Sequence, residues 1–213
     1  MACVPRSVVC IARSTGAGGE EVGRLVADRL GFLYVDEEVI SRAAALGGVA
    51  PETVAGEEQR KRMFAGLFEH LADAGTATML TGAHVPADGP SSEAVRSFIR
   101  DAVHEVAARG KVVIVAHAAS YAVGGDPAAL RVLVTASRET RARRLAAAEG
   151  SSDADAAKEI KRDDAGRVDY LKRFYGVGEE LPVHYDLVIN TDTLSTGQAA
   201  ELIVQAAAGP AAA

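Results

Sequence analysis

The stretch Val8-Val9-Cys10-Ile11-Ala12-Arg13-Ser14-Thr15-Gly16-Ala17-Gly18-Gly19 decides the fold, together with residues 20–30 that follow it. Residues 8–12 form a short apolar run of the length of a buried strand. Residues 20–30 repeat apolar side chains every three or four positions and end at Gly31, which predicts an amphipathic helix. A strand, a glycine-rich turn and a helix N-terminus together make a potential anion site, because glycine permits close backbone approach and the first helical amides point outwards.

Apolar runs recur along the rest of the chain and predict four more strands, at 32–35, 111–116, 130–135 and 186–190. The runs 111–116 and 130–135 are continuously apolar, as is typical of strands buried on both faces of a parallel sheet. Amphipathic or charged stretches predict helices at 36–45, 57–72, 92–109, 138–149, 153–174 and through 199–208. Strands that alternate with helices predict a doubly wound, three-layer α/β fold with five mostly parallel strands.

Length and composition narrow the classes of protein. The chain has 213 residues and a mass of 22.1 kDa, which suits one domain. A core at 6–46 and 92–208 would carry an inserted helical lobe at about 47–91, and the tract from Thr81 to Pro90 predicts that this lobe is mobile.

The charge and the rarer residue types exclude several functions. The net charge is −6 and aromatic residues make up 5% of the chain, so neither a broadly basic surface nor a stacking platform for nucleic acid is expected. No run reaches the ~18–20 apolar residues of a membrane span. Cys3 and Cys10 form no disulfide framework, and no Cys/His pair has zinc-ligand spacing. We expect a cytoplasmic protein without a nucleic-acid partner, a membrane segment or a metal-ligating cluster.

The loop after the first strand partly matches the phosphate-binding motif G-x-x-x-x-G-K-[ST]. Placing Gly18 on the second glycine puts Arg13 at the first glycine, Gly19 at the lysine and Glu20 at the Ser/Thr. The backbone cradle is therefore kept, whereas the lysine charge and the metal-binding hydroxyl are missing. A plain tight turn is the simplest alternative.

A dinucleotide-binding fingerprint, G-x-G-x-x-G, is a second alternative for the same loop. Gly16 and Gly18 fit it, but its third glycine falls on Glu21. Asp36 follows the second strand, where an acid that binds the ribose would stand.

Several motifs resemble those of the cytidylate kinase-like family. Residues 12–23, then Leu30-Gly31 and residues 34–40, are similar to its opening pattern S-R-x-x-G-S-G-G-x-x-I-G, L-G and Y-D-x-E-L-I. The C-terminal half is similar to three more of its patterns: L-T-A-S-x-E-x-R-A-x-R-R at 133–144, I-x-x-R-D-x-x-D-x-x-R at 159–167, one residue shorter, and D-A-x-x-x-D-T-x-x-L-S at 186–195. The resemblance spans nearly all of the chain except 47–91.

The resemblance implies a P-loop NTPase-like fold with an inserted lobe for a nucleoside monophosphate and a lid-like segment at about 138–167. It implies ATP-dependent phosphorylation of CMP or a related (d)NMP, with ATP and Mg²⁺ as cofactors. The expected nucleotide-binding loop consists of Arg13, Ser14, Thr15, Gly16, Ala17, Gly18, Gly19 and Glu20. The alternative is a nucleotide- or phosphate-binding protein of the same fold with weak or no turnover, which the missing lysine favours.

Three residues, Arg162, Arg167 and Asp36, are candidates for catalysis, and Glu20 of the loop is a candidate metal ligand. Phosphoryl transfer needs positive charge around the transferred group, and Arg162 and Arg167 would supply it from a closing lid; a solvated, charge-balanced helix face is the alternative. Asp36 would help to organise a hydrated Mg²⁺, or would serve as a helix N-cap. Glu20 would either replace the missing hydroxyl as a metal ligand or stabilise the first turn of its helix.

Three residues are candidates for acceptor binding by resemblance. Arg42 matches an arginine of the pattern D-T-G-x-x-x-R, with a surface arginine as the alternative. Asp163 belongs to the R-D motif of the lid-like segment. His117 stands where the family reads V-I-x-G-R, and a neutral imidazole cannot replace a bidentate guanidinium on a phosphate.

Overall fold

A computed structural model describes residues 6–36, 100–101, 103–115 and 118–209 of the protein. Its strands form one parallel sheet in the order β2-β3-β1-β4-β5. They are β1 (Val8–Arg13), β2 (Leu33–Val35), β3 (Val112–Ile114), β4 (Ala129–Thr135) and β5 (Leu187–Asn190). Each strand lies within two residues of an apolar run of the sequence, so the predicted five-stranded parallel α/β fold is confirmed.

Helices lie between the strands of this sheet. They are α1 (Gly19–Leu30), α2 (Ala119–Ala122), α3 (Arg138–Glu149), α4 (Asp153–Tyr175) and α5 (Thr196–Ala208), and residues 100–101 and 103–108 are also helical. The hydroxyls of Ser137, Ser152 and Ser195 accept the amide of the third residue of α3, α4 and α5, respectively, which fixes where these helices begin. Within the ranges given above, no helix combines the length and the apolarity needed to cross a bilayer.

Some predicted segments lie outside the described residues. These are the helices expected at 36–45 and 57–72, apart from Asp36 itself, and the inserted lobe at about 47–91.

The lid-like segment at 138–167 comprises α3 and most of α4, which pack through Leu145, Ala146, Ala156 and Ile160.

The two faces of β1 bury alternate side chains. Val9 and Ile11 pack with α1 and α5, and Val8 and Cys10 pack with residues 103–106. The sheet is therefore covered on both faces, as expected of parallel strands. Burial raises the pKa of the Cys10 thiol to about 12, in agreement with a buried, inert cysteine.

The strand order contradicts the dinucleotide-binding alternative. In that fold the second strand lies beside the first, whereas here both neighbours of β1 are other strands, β3 and β4, and β2 pairs with β3. The third glycine of the fingerprint is also replaced by Glu21, whose carboxylate accepts a hydrogen bond from the Thr196 hydroxyl at 3.1 Å. The dinucleotide-binding alternative is therefore wrong.

Candidate functional site

The loop between β1 and α1 lies at the carboxyl edge of the sheet. Gly16 and Gly18 have φ angles of 79° and 80°, in the left-handed region that favours glycine. The amide of Ala17 donates to the carbonyl of Ser14 at 3.0 Å and closes a turn. Gly18 is the N-cap of α1 and has no side chain, so no side-chain hydrogen bond from this N-cap residue occupies the first-turn amides. These features are those of an anion cradle at a helix N-terminus.

The ends of two neighbouring strands hold this loop. The amide of Ser14 donates to the carbonyl of Val134 at 3.0 Å. The hydroxyl of Thr191, directly after β5, donates to the carbonyl of Ala17 at 2.9 Å, and the Arg144 guanidinium donates to the hydroxyl and the carbonyl of Thr191. Thr191 is completely buried. The conformation of the loop is therefore fixed by the sheet beneath it.

Helix α3 packs directly against the loop at Gly16. A Cβ atom on Gly16 would lie 2.7 Å from the backbone oxygen of Arg141, closer than real Cβ contacts. Arg141 is buried, and its guanidinium forms two hydrogen bonds with Asp164 of α4, at 2.8 and 2.7 Å. The first glycine of the loop is thus required by its φ angle and by the contact with the lid-like segment.

Helix α4 reaches the loop through Thr15 and Asp163. The Thr15 hydroxyl donates to Oδ2 of Asp163 at 3.0 Å, and Asp163 is buried. Its neighbour Arg162 is 71% exposed, with its guanidinium 3.2 Å from Glu159 and 3.6 Å from Asp163. Of the residues predicted from the lid-like segment, Asp163 contacts the loop between β1 and α1, and Arg162 lies next to that contact.

An ion pair joins the two ends of the loop. Nε of Arg13 lies 2.6 Å from Oε1 of Glu20, and both side chains are partly exposed. Arg13 is the last residue of β1, and Glu20 is the second residue of α1. The cation and the anion of this pair therefore come from opposite ends of the loop and meet beside it.

Asp36, directly after β2, belongs to the same charged group. Its carboxylate accepts a hydrogen bond from the Tyr34 hydroxyl at 3.1 Å. Burial raises the pKa of Asp36, and the charge of Arg13 opposes that rise while the charge of Glu20 adds to it. Among the described residues, no three His, Cys, Asp or Glu side chains are grouped as metal ligands. Asp36 and Glu20 are nevertheless acidic groups close enough to Arg13 for their charges to interact.

Arg167 lies in a different environment from Arg162. Its guanidinium forms two hydrogen bonds with Glu180, at 2.9 and 2.7 Å, and the Tyr185 hydroxyl donates to the same carboxylate. Burial would raise the pKa of Glu180, but the hydrogen bonds and the charge of Arg167, together with the hydrogen bond from Tyr185, lower that pKa. Besides Asp163, two residues were predicted to bind the acceptor. They are Arg42 and His117, and both lie outside the described residues.

Arg141, Thr191 and Glu180 were not predicted from the sequence as residues of the site. Arg141 lies inside the motif at 133–144, so the motif could have drawn attention to it. Thr191 lies in the motif at 186–195, but its contact with Ala17 depends on the meeting of distant strand ends. Glu180 lies outside the family motifs, and no pattern in the sequence marks it as the partner of Arg167.

The parallel sheet, the glycine loop and the flanking helices define the protein as a P-loop NTPase-like α/β protein. The model of the cytidylate kinase-like family matches residues 8–193. The chain therefore belongs to the cytidylate kinase-like family, and this confirms the resemblance found in its motifs.

The chain is also similar to individual proteins. A cytidylate kinase of Roseiflexus castenholzii is 27% identical over 93% of this chain and 92% of its own length. Among solved structures, an uncharacterized protein from Eubacterium ventriosum is similar with a TM-score of 0.63 and 15% identity, over 93% of this chain and 96% of that chain. A shikimate kinase from Bacteroides thetaiotaomicron has a TM-score of 0.47 and 16% identity, over 94% and 95% of the two chains.

Proposed function

We propose that the protein is an ATP-dependent, nucleoside monophosphate kinase-like phosphotransferase that acts on CMP or a related (d)NMP. The observation that carries this proposal is the contact between the glycine loop and the lid-like segment, formed by Thr15 with Asp163 and by Gly16 with the backbone of Arg141. Family membership agrees with the same chemistry. Phosphoryl transfer needs positioning and charge neutralisation rather than covalent chemistry, and both can be supplied where loop and lid meet.

The described residues divide the work of binding a nucleotide. The loop from Ser14 to Gly18 and the first turn of α1 would hold the phosphates through backbone amides. The exposed guanidinium of Arg162 would approach the transferred phosphoryl group and neutralise its developing charge. Asp163 would position the loop, since its carboxylate accepts the Thr15 hydroxyl.

The acidic groups fit a hydrated Mg²⁺ better than a cage made of protein ligands alone. Magnesium usually keeps several waters and is held by one or two carboxylates together with substrate phosphates. Asp36 would hold such an ion, and a cation beside it would favour its ionised form. The bound ion would neutralise charge on the phosphates. ATP and nucleoside monophosphates are cytoplasmic metabolites, so the proposal includes a cytoplasmic location.

Arg167 would act as a positioning residue in this scheme. Its two hydrogen bonds with Glu180 connect α4 to the segment before β5. Since both side chains are mostly buried, the pair would fix the position of α4 relative to that segment. Arg162 would then be the cation that approaches the substrate.

A binding protein with weak or no turnover is the second candidate function. Gly19 occupies the position at which the phosphate-binding motif has a lysine. The cation of the loop, Arg13, is paired with Glu20. A cation that is already paired with a carboxylate neutralises the transition state less, and one positioned cation changes the rate by orders of magnitude. We therefore expect nucleotide binding with turnover below the ~1–100 s⁻¹ typical of kinases.

Coupled assays of ADP release with ATP, Mg²⁺ and each of CMP, UMP, dCMP and AMP would test the activity. We expect slow turnover with a pyrimidine monophosphate, and a loss of about tenfold or more in kcat for Arg162→Ala. Lys158→Ala is the matched control, because Lys158 is an exposed cation of the same helix paired three residues away, with Asp155. Equal turnover by both variants would contradict the role of Arg162. Binding of ATP without ADP release would favour the second candidate.

A further inference from the structure

The phosphate loop has exchanged the residue types of two positions. In the motif G-x-x-x-x-G-K-[ST], glycine stands at the position of Arg13 and lysine at the position of Gly19. In this chain the cation stands at the end of the strand and the glycine at the start of the helix. The number of cations is the same in both arrangements, and only the side of the loop that carries the cation differs.

The structure explains why the two changes occur together. A Cβ atom on Gly19 would lie 2.5 Å from Cβ of Arg13 and 3.0 Å from its Cδ. Cβ of Arg13 is fixed to β1 and cannot rotate away. Gly19 is not among the glycines with positive φ, so its backbone conformation does not require glycine. The aliphatic part of Arg13 is therefore what excludes a side chain at position 19, and a lysine there would compete with Arg13 for the same space.

We propose that Arg13 is the phosphate-binding cation of this loop, in place of the lysine, and that Glu20 is the counter-ion that phosphate displaces from it. This inference rests on the proposed function, since it concerns how the same site binds a nucleotide. Gly19 is the residue that makes room for the Arg13 side chain.

The pair with Glu20 has the features of an exchangeable contact. One nitrogen of Arg13 contacts one oxygen of Glu20, at 2.6 Å, and the side chains are 28% and 42% exposed. A planar guanidinium can bind two phosphate oxygens at once, and hydrogen bonds between ionised groups are the stronger ones. A polyphosphate therefore offers Arg13 more charge and more acceptors than a single contact with Glu20. Until the polyphosphate arrives, Glu20 neutralises Arg13 at a site that also contains Asp36.

Calorimetric titration with inorganic tripolyphosphate and with ATP would test this exchange. The proteins are the wild type, Arg13→Gly, Gly19→Lys and the double variant. We expect Arg13→Gly to weaken both ligands by about tenfold or more, because a charge-assisted bidentate contact is lost. Gly19→Lys alone should lower Tm and weaken binding, whereas the double variant should recover both. Arg29→Ala is the control for the loss of an exposed arginine that pairs with a glutamate.

Glu20→Gln tests the counter-ion without changing position 13 or 19. It should tighten tripolyphosphate binding by about threefold, the scale of one partly exposed ion pair. Weaker or unchanged binding by Glu20→Gln would overturn the exchange.

The outcomes separate the inference from the proposed function. Equal binding by wild type and Arg13→Gly, or tighter binding by Gly19→Lys alone, would overturn the inference and leave the proposed function standing. A wild type that binds neither ligand at millimolar concentration would overturn both. If Gly19→Lys does not fold, the clash is supported, and Arg13→Gly and Glu20→Gln still decide the role of Arg13.

Discussion

Two arginine–glutamate pairs of this protein have the same chemistry and different surroundings. Arg167 and Glu180 share two hydrogen bonds, their side chains are 25% and 18% exposed, and Tyr185 donates to the same carboxylate. Arg13 and Glu20 share one contact beside the glycine loop and are more exposed. The first pair connects two segments of the fold, and the second neutralises a site. The environment of an arginine, rather than its motif, therefore decides whether its charge is available to a ligand.

Removal of the Glu180 carboxylate should have the largest effect on stability. Glu180→Ala leaves the guanidinium of Arg167 with neither of its two hydrogen bonds, and we expect a loss of about 3 kcal/mol in the free energy of unfolding. Urea unfolding followed by circular dichroism measures this loss. Glu149→Ala, at the exposed end of α3, is the control for a glutamate substitution. A loss no greater than in the control would show that both arginine pairs are exchangeable.

A substitution in the backbone of the loop between β1 and α1 should lower the stability almost as much, although the Arg13–Glu20 ion pair beside it is exchangeable. Gly16→Ala places a side chain at a φ of 79° and against the carbonyl of Arg141. Gly31→Ala is the matched control, because Gly31 has a φ of 64° and open space around it. We expect about 1 kcal/mol for Gly31→Ala from the left-handed backbone and about 2 kcal/mol for Gly16→Ala, measured as unfolding free energies. Equal losses would mean that the loop is free to move away from α3.

Acid should weaken the Arg167–Glu180 pair. Burial acts to raise the pKa of Glu180, but the hydrogen bonds and the charge of Arg167, with the Tyr185 hydroxyl, hold it below the ordinary value of 4.5. A carboxyl group with a lowered pKa in the folded state stabilises the protein above its unfolded pKa, and this contribution is lost as the pH falls through the folded pKa. The free energy of unfolding of the wild type should therefore exceed that of Glu180→Gln by about 1.5 kcal/mol at pH 7. This difference should shrink as the pH falls below 4.5. A difference that stays constant down to pH 2 would contradict the lowered pKa.

The sequence predicted the fold well because the relevant signals are local. The continuous apolar runs that became β3 and β4, and the helix that Gly31 ends, depend on residues close together in the chain. The same holds for the loop glycines, since Gly16 and Gly18 adopt the positive φ angles for which glycine is suited.

The candidate site was less predictable because its contacts join distant segments. Thr15 meets Asp163 across 148 positions, and Thr191 meets Ala17 across 174. The motif around Arg162 and Arg167 predicts that both are cations of a lid. Only Arg167 is paired with Glu180, and Glu180 lies outside that motif. From the sequence, Gly19 indicates only that the lysine of the motif is missing. The structure shows that the Arg13 side chain occupies the space that a side chain at position 19 would need.

Thr15→Val should have a smaller effect than the changes at Glu180 and Gly16. It removes the hydrogen bond to Asp163, at 3.0 Å, and leaves a buried carboxylate with one partner fewer. We expect a loss of about 1 kcal/mol in the free energy of unfolding and faster hydrogen exchange in the loop. Thr15→Ser, which keeps the hydroxyl, is the control and should behave like the wild type. If Thr15→Ser and Thr15→Val are equally destabilised, packing rather than the hydrogen bond connects α4 to the loop.

Glu20→Gln should have the smallest effect on stability. A partly exposed ion pair contributes about 0–1 kcal/mol, and the loss of the Glu20 charge also relieves its repulsion of Asp36, which otherwise adds to the raised pKa of that carboxyl. These contributions oppose each other, so we expect the free energy of unfolding to change by less than about 0.5 kcal/mol. Glu180→Gln, measured by the same urea titration at pH 7, is the comparison, because it removes the same charge from the other pair. If Glu20→Gln were as destabilising as Glu180→Gln, the Arg13–Glu20 pair would be part of the framework of the fold, and a phosphate could not displace Glu20 without loosening the end of β1.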